Sequence, residues 1–324
     1  MRLAYVDCFA GPGQYELDGY PVEGSPLIVI REGIKFAQSN NEQSLALYLV
    51  DDDPRQVQRL DAKIKTAGFP QYPKNLDVKI ICKDSRSFVP EFLERVGLEI
   101  PAFFLIDPYG HPLPIPIING ILRRPRAEVF INLMWFQINR DLNNPKVEAR
   151  LNQLFGNSEW REQKFMQLHG AEREVAFLNY FKSQLDCKFV LQFRIRHDRE
   201  DSHSGERTKY YLLHASNHVK AALLMKEVMW PLGDEPGTFD FGDETQRVLI
   251  SETPPEEELR EYLLSNFHGK ELTFDKILEY TWHLPFIPKH YLSVLRQLEG
   301  KEITISRVTS KRTGIRGLDL IRFK

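Results

Sequence analysis

LAYVDCFAGPG, residues 3–13, takes an apolar strand pattern straight into an acid and a Gly-Pro-Gly turn. The apolar run predicts a strand covered on both faces, and the glycines permit a tight turn and close approach of the backbone to a ligand. Four further runs repeat the pattern: SLALYLV (44–50), DVKIIC (77–82), AFFLID (102–107) and EVFINLM (128–134). Helical patterns lie between them, from Ser25 to about Ser39, from Pro54 to Thr66 and from Arg86 to Val96. Ser25 is the expected N-cap of the first, with Pro26 at its first helical position. Strands alternating with helices make βαβ units, so the expected class is α/β with a mostly parallel, Rossmann-like sheet.

Beyond residue 134 the pattern changes. Residues 136–168 read as a polar insertion with short helices, and 170–185 has helical periodicity. CKFVLQFRIR (187–196) and TKYYLLHAS (208–216) then read as a terminal hairpin joined by the charged loop HDREDSHSGER. Five parallel strands closed by such a pair resemble a class I methyltransferase-like sheet, in which strand seven lies antiparallel between strands five and six. Asn217 to Trp230 predicts another helix, ended by Pro231 and Gly233. Helical segments near 255–267, 273–282 and 287–299, followed by ITISRV (303–308) and LDLIRF (318–323), match a winged helix whose wing is TSKRTGIRG. The expected division is a methyltransferase-like domain over 1–232, an acidic linker over 233–254 and a winged-helix-like domain over 255–324.

The chain has 324 residues, 42% of them hydrophobic, which excludes a disordered chain and suffices for about two domains. Cys8, Cys82 and Cys187 are far apart, so neither a disulfide framework nor a cysteine zinc site is expected. His197 and His203 sit in a mixed-charge loop without metal-ligand spacing, and no metal is expected. No apolar run is long enough to span a bilayer and the N-terminus lacks signal-peptide character, so a cytoplasmic setting is expected. The net charge of -2 hides an uneven distribution. Residues 234–262 carry ten acidic and two basic side chains, whereas 301–324 carry seven basic and two acidic.

In an open parallel sheet, ligands bind beyond the carboxyl ends of the strands, near the point where strand order reverses. The first strand end presents Asp7, Phe9, Gly11 and Gly13, with an acid able to reach a ligand amine or a bridging water. In Asp51-Asp52-Asp53-Pro54, Asp51 is the candidate to accept both hydroxyls of a ribose, and Asp53 reads as a helix cap. Asp84 and Ser85 supply a carboxylate and a hydroxyl at the third strand end, where Asp84 serves equally well as a cap. Asp107-Pro108-Tyr109-Gly110 offers an acid, a carbonyl and an aromatic ring, or a turn with proline at its second position. Trp135 and Phe136 read either as stacking surfaces on the cleft rim or as core aromatics. Arg123, Arg124 and Arg126 precede the fifth strand and read as a solvated turn.

Taken in order, DCFAGPG, LVDDDP, CKDS and LIDPYG, followed by INLMW, YYLLHAS and AALLMKEVMW, resemble the three-Cys-motif partner family over nearly the whole chain. YVDCFAGPG with GSPL (24–27), and LIDPYG, carry the resemblance most specifically. It implies a domain that binds S-adenosylmethionine (SAM), with Asp7, Phe9, Gly11 and Gly13 on the methionine part, Asp51 on the ribose and Asp84 with Ser85 on the adenine. DPYG stands where amino-methyltransferases of nucleic acids carry (D/N/S)PP(Y/F/W). Asp107 and the Pro108 carbonyl would accept hydrogen bonds from a target NH2 while Tyr109 stacks on the base. In this chain Tyr109 replaces the second proline. The expected acceptors are tRNA, rRNA or DNA, with Trp135 against the base and Lys311, Arg312 and Arg316 of the wing on phosphate. Family members usually carry a helical segment before the first strand, so part of the cofactor-site cover is expected to be missing or supplied elsewhere. The resemblance also implies a radical-SAM-like three-Cys-motif partner. An adaptor that keeps SAM without transferring methyl, and a winged-helix DNA-binding regulator with residues 287–299 in a major groove, are the alternative expectations.

Overall fold

The computed structural model describes residues 1–196, 207–234, 238–241, 255–308 and 314–324. It divides into two compact units, one of residues 1–195 with 207–218 and one of 219–324 that also takes in Arg196. The first begins with β1 (Arg2–Asp7), a hairpin of β2 (Gln14–Leu17) and β3 (Tyr20–Glu23), α1 (Ser25–Ser39), β4 (Ser44–Asp51), α2 (Pro54–Thr66) and β5 (Leu76–Cys82). It continues through α3 (Ser85–Arg95), β6 (Ala102–Ile106), α4 (Ile115–Leu122) and β7 (Ala127–Leu133). Helices α5 (Trp135–Asp141), α6 (Glu148–Phe155) and α7 (Gly170–Ser183) lead to β8 (Phe189–Arg196) and β9 (Thr208–Ser216).

These strands lie in the order β8-β9-β7-β6-β1-β4-β5. The pairs β1–β4, β4–β5, β1–β6 and β6–β7 are parallel, and β9 runs antiparallel to β7 from Glu128 opposite Ser216 to Leu133 opposite Tyr211. The seventh strand of this sheet therefore lies between the fifth and sixth, which is the Rossmann-like methyltransferase order. Strand order reverses between β1 and β6, the place in an open α/β sheet where a crevice forms beyond the carboxyl ends of the strands. Val6, Phe104, Ile106, Val129 and Ile131 meet Phe88, Phe92 and Ile118 on one face, and Leu47 and Leu49 meet Leu27, Ile30 and Leu60 on the other. Burial on both faces explains why the strands read as continuous apolar runs.

Two local readings need correction. Gly24, not Ser25, caps α1. The Ser25 hydroxyl donates instead to Asp7 Oδ2 at 2.6 Å, because a bond to a buried carboxylate is stronger than one to a neutral backbone group. Arg124 is not part of a solvated turn. It is buried and donates to the carbonyls of Leu93, Val96 and Gly97, which the end of α3 leaves without helical partners.

The second unit holds α8 (Val219–Met229), β10 (Asp240–Phe241), α9 (Pro255–Phe267), β11 (Glu271–Thr273), α10 (Phe274–Tyr280), α11 (Pro288–Leu298), β12 (Ile303–Ser306) and β13 (Leu320–Phe323). Its sheet has the order β11-β13-β12, with β13 antiparallel to both neighbours. Leu259, Leu263, Ile277, Val294, Leu295 and Ile321 form the core between three helices and this small sheet. Helix α8 belongs here rather than to a domain ending at 232. Leu223 joins that core, and the buried Lys226 ammonium donates to the carbonyls of Trp282 and Leu284. Burial pushes that ammonium down to about 8. Most of the expected acidic linker lies outside the described residues. Among the described residues no helix is long and apolar enough to cross a membrane, and none of their His, Cys, Asp and Glu side chains form a metal-binding group.

Candidate functional site

A cleft of about 710 Å³ opens beyond the carboxyl ends of β1, β4, β6 and β7. Phe9, Gly11, Asp51, Asp107, Tyr109 and Asn132 all line it, so four of the five strand-end motifs meet in one place. Gly11 has φ +61 and Gly13 φ +77, left-handed values that a side chain would strain. A Cβ on Gly13 would also sit 2.6 Å from Leu60 Cδ1.

Asp51 forms the centre of the floor. One carboxylate oxygen accepts the Gly11 N–H at 2.8 Å and the other accepts the Asp53 N–H at 3.0 Å. Each oxygen keeps a further lone pair, the requirement for accepting a vicinal diol. Asp53 caps α2 through the Arg55 N–H. On the opposite wall Asp107 is exposed and its Oδ1 accepts the Asn132 amide at 2.6 Å. The Pro108 carbonyl accepts the Gly110 N–H at 3.0 Å, and Gly110 turns the chain with φ +128. Tyr109 projects fully into solvent at the mouth.

Three expected roles change with the surroundings each side chain has. Asp7 is fully buried, with its carboxylate accepting the Phe9 N–H at 3.1 Å and the Ser25 hydroxyl, so it organises the glycine turn from beneath instead of lining the cleft. Burial, opposed by those two hydrogen bonds, pushes its carboxyl up to about 6. Ser85 is buried too, donating to the Cys8 carbonyl at 2.5 Å, and lines neither cavity of the site. Trp135 is 4% exposed and packs on Phe177 at 5.0 Å, so it belongs to the core, not the rim. The apolar surface it removes from water outweighs any gain from a rim position. Lys311 and Arg312 lie outside the described residues, and Arg316 is exposed in the second unit.

Asp84 lines a smaller adjoining cavity of about 240 Å³, together with Phe9, Asp52, Arg86 and Leu113. Its oxygens cap α3 through the Arg86 N–H and pair with the Arg86 guanidinium, which holds the carboxyl below its usual range. Asp84 therefore both caps α3 and lines the cavity, beside Arg86.

Several lining residues escaped the sequence. Tyr15 enters from the β2–β3 hairpin, whose Asp18-Gly19 turn has φ +51 and +80. An Asp-Gly pair between short alternating runs is a strong hairpin signal and was available in the sequence. Tyr210 of β9, Asn132, Met134 and His111 complete the wall. His111 follows the DPYG turn directly, and its Nε2 lies 3.0 Å from Asp141 Oδ2. Nothing in the local sequence links those two residues, which are thirty positions apart.

A family model described as GMT-like wHTH domain matches residues 232–310. A comparison with curated protein sequences gave no match. Solved structures similar to the chain include a protein from Legionella pneumophila str. Philadelphia 1 at 13% identity, covering 70% of this chain and 83% of that one with a TM-score of 0.38. A SAM-dependent methyltransferase from Agrobacterium tumefaciens is 12% identical, with 67% and 57% covered and a TM-score of 0.33. A precorrin-6y C5,15-methyltransferase from Geobacter metallireducens is 11% identical, with 67% and 81% covered and a TM-score of 0.31. These are distant likenesses. The strand order described above places the first unit in the methyltransferase-like α/β class, and the second unit carries the winged-helix match.

Proposed function

We propose that this protein binds SAM in the strand-end cleft and transfers its methyl group to the amino group of a nucleic-acid base. The charge of the cleft carries the reading. Asp51, Asp52, Asp53 and Asp107 line it, and no lysine or arginine stands among its described lining residues. Such a wall favours a cationic ligand and repels the pyrophosphate of a dinucleotide. The residues fit SAM: the positive-φ glycines leave room for the chain to pass close, Asp51 has lone pairs for the ribose hydroxyls, and the adjoining cavity beside Asp84 suits the adenine. When bound, SAM supplies a methyl group made electrophilic by its sulfonium, so the protein's task is to position the acceptor. Asp107 and Tyr109 face that acceptor, and the basic tail, with net charge +5 over 301–324, supplies attraction for phosphate.

One observation favours the adaptor reading. The Asn132 amide and the Gly110 N–H already engage Asp107 Oδ1 and the Pro108 carbonyl, the two groups that an amino acceptor requires. Calorimetry with SAM separates binding from its absence. Asp51→Ala is expected to weaken affinity at least tenfold, and unchanged affinity would remove the ribose assignment. Transfer of labelled methyl to total tRNA, rRNA and DNA, with Asp107→Ala as the inactive comparison, then separates enzyme from adaptor. SAM binding without transfer to any of these pools would remove the nucleic-acid acceptor and favour the adaptor reading.

A further inference from the structure

We infer that His111, held by Asp141, is the general base that takes the proton shed by the acceptor, an inference that rests on the methyl-transfer reading above. His111 lines both the large cleft and the smaller cavity, with Phe9 and Asp52, and so stands where the two meet. Its side chain is 12% exposed and that of Asp141 8%. The Asp141 carboxylate, at the end of α5, accepts the Nε2–H at 3.0 Å. That bond fixes the tautomer in which Nδ1 carries a lone pair, and Nδ1 has no hydrogen-bond partner among the described residues. A nucleophile or acceptor partner oriented by a carboxylate-bound imidazole is the arrangement that general-base catalysis needs.

The surroundings keep this imidazole neutral near pH 7. Burial lowers its pKa most, Asp141 opposes that effect, and Arg150 of α6 adds to it. Asp52, Asp84 and Arg86 face it across the small cavity, and Asp107 and Tyr109 share the large one. A neutral imidazole with one free nitrogen accepts a proton; an imidazolium does not.

The lone pair of the acceptor amine forms the N–C bond while the sulfonium C–S bond breaks and its electron pair passes to sulfur, leaving a neutral thioether. The proton shed by the nitrogen passes to Nδ1 of His111, and Asp141 stabilises the resulting imidazolium. An amine conjugated with a base ring gains from this help because attack otherwise leaves it cationic. The site thus supplies a base where the second proline of the amino-methyltransferase motif is missing.

Two measurements test the inference. In the full chain carrying isotope-labelled histidine, an NMR titration is expected to find His111 as the Nε2–H tautomer at neutral pH, titrating below the usual histidine value, and lower still in Asp141→Asn. A predominant Nδ1–H tautomer overturns the assignment without reference to turnover. In single-turnover transfer from labelled SAM to tRNA, rRNA and DNA, His111→Asn is expected to fall on the order of 100-fold, the usual contribution of a general base. Asp141→Asn should shift the acidic limb of the pH–rate profile to lower pH, since Asp141 raises the His111 pKa. Full activity in His111→Asn removes the base and leaves the methyl-transfer reading standing. Absence of transfer by the unaltered protein to every pool removes both.

Discussion

At the scale of the residue, Asp7 joins stability to the site. Its carboxyl is fully buried yet holds the Phe9 N–H and the Ser25 hydroxyl, so the turn that presents Gly11 depends on it. Its pKa rises from 3.8 to about 6 in the fold. The folded state therefore binds the proton more tightly than the unfolded chain. This contribution is fully present below about 3.8 and is lost as pH rises through about 6. Asp7→Asn removes the titration. Relative to the unaltered protein, its stability should improve as pH rises across that window, by on the order of 2–3 kcal/mol at 1.36 kcal/mol per pKa unit. Urea unfolding at several pH values reads the difference, and parallel curves for the two proteins would show that Asp7 does not titrate there. The acid itself was legible in the sequence, because a carboxylate before a glycine turn stands out. Its direction was not, since spacing cannot say whether a strand-end side chain points into the cleft or underneath it.

At the scale of the element, α3 shows how one side chain serves two demands. Asp84 caps the helix through the Arg86 N–H and also lines the smaller cavity. Asp84→Ser retains a cap, costing no more than a few tenths of a kcal/mol, whereas Asp84→Ala costs about 1 kcal/mol. If the carboxylate meets an adenine amine, Asp84→Ser should lose SAM affinity while its urea midpoint stays near the starting value. A calorimetric affinity equal to the unaltered protein's would confine Asp84 to capping. Elements built on composition and periodicity were readable in advance, including α2, whose bounds Pro54 and Thr66 match the helical pattern. Those built on tertiary bonding were not. Trp135 looks identical in sequence whether it faces a cleft or Phe177, and Arg124 reads as a surface charge until α3 presents three carbonyls to it.

At the scale of the whole molecule, acidic and basic side chains are segregated along the chain. The cleft of the first unit is lined by Asp51, Asp52, Asp53 and Asp107, whereas residues 301–324 of the second carry a net charge of +5. Replacing Lys311, Arg312 and Arg316 together by alanine should weaken binding to tRNA, rRNA or duplex DNA and reduce the salt slope by about 3, near 0.9 per phosphate contact. Fluorescence binding across a salt series reads this, and an unchanged slope would make the tail a protein-contact surface. The register of β9 against β7 has a consequence for synthesis. Leu133 pairs with Tyr211, so residues 134–207 are made before the open edge of β7 gains its neighbour. At 5–20 residues per second that edge waits about 4–15 s on the ribosome. Unpaired strand edges recruit other chains, so aggregation competes with folding of the nascent protein throughout the interval between these two strands.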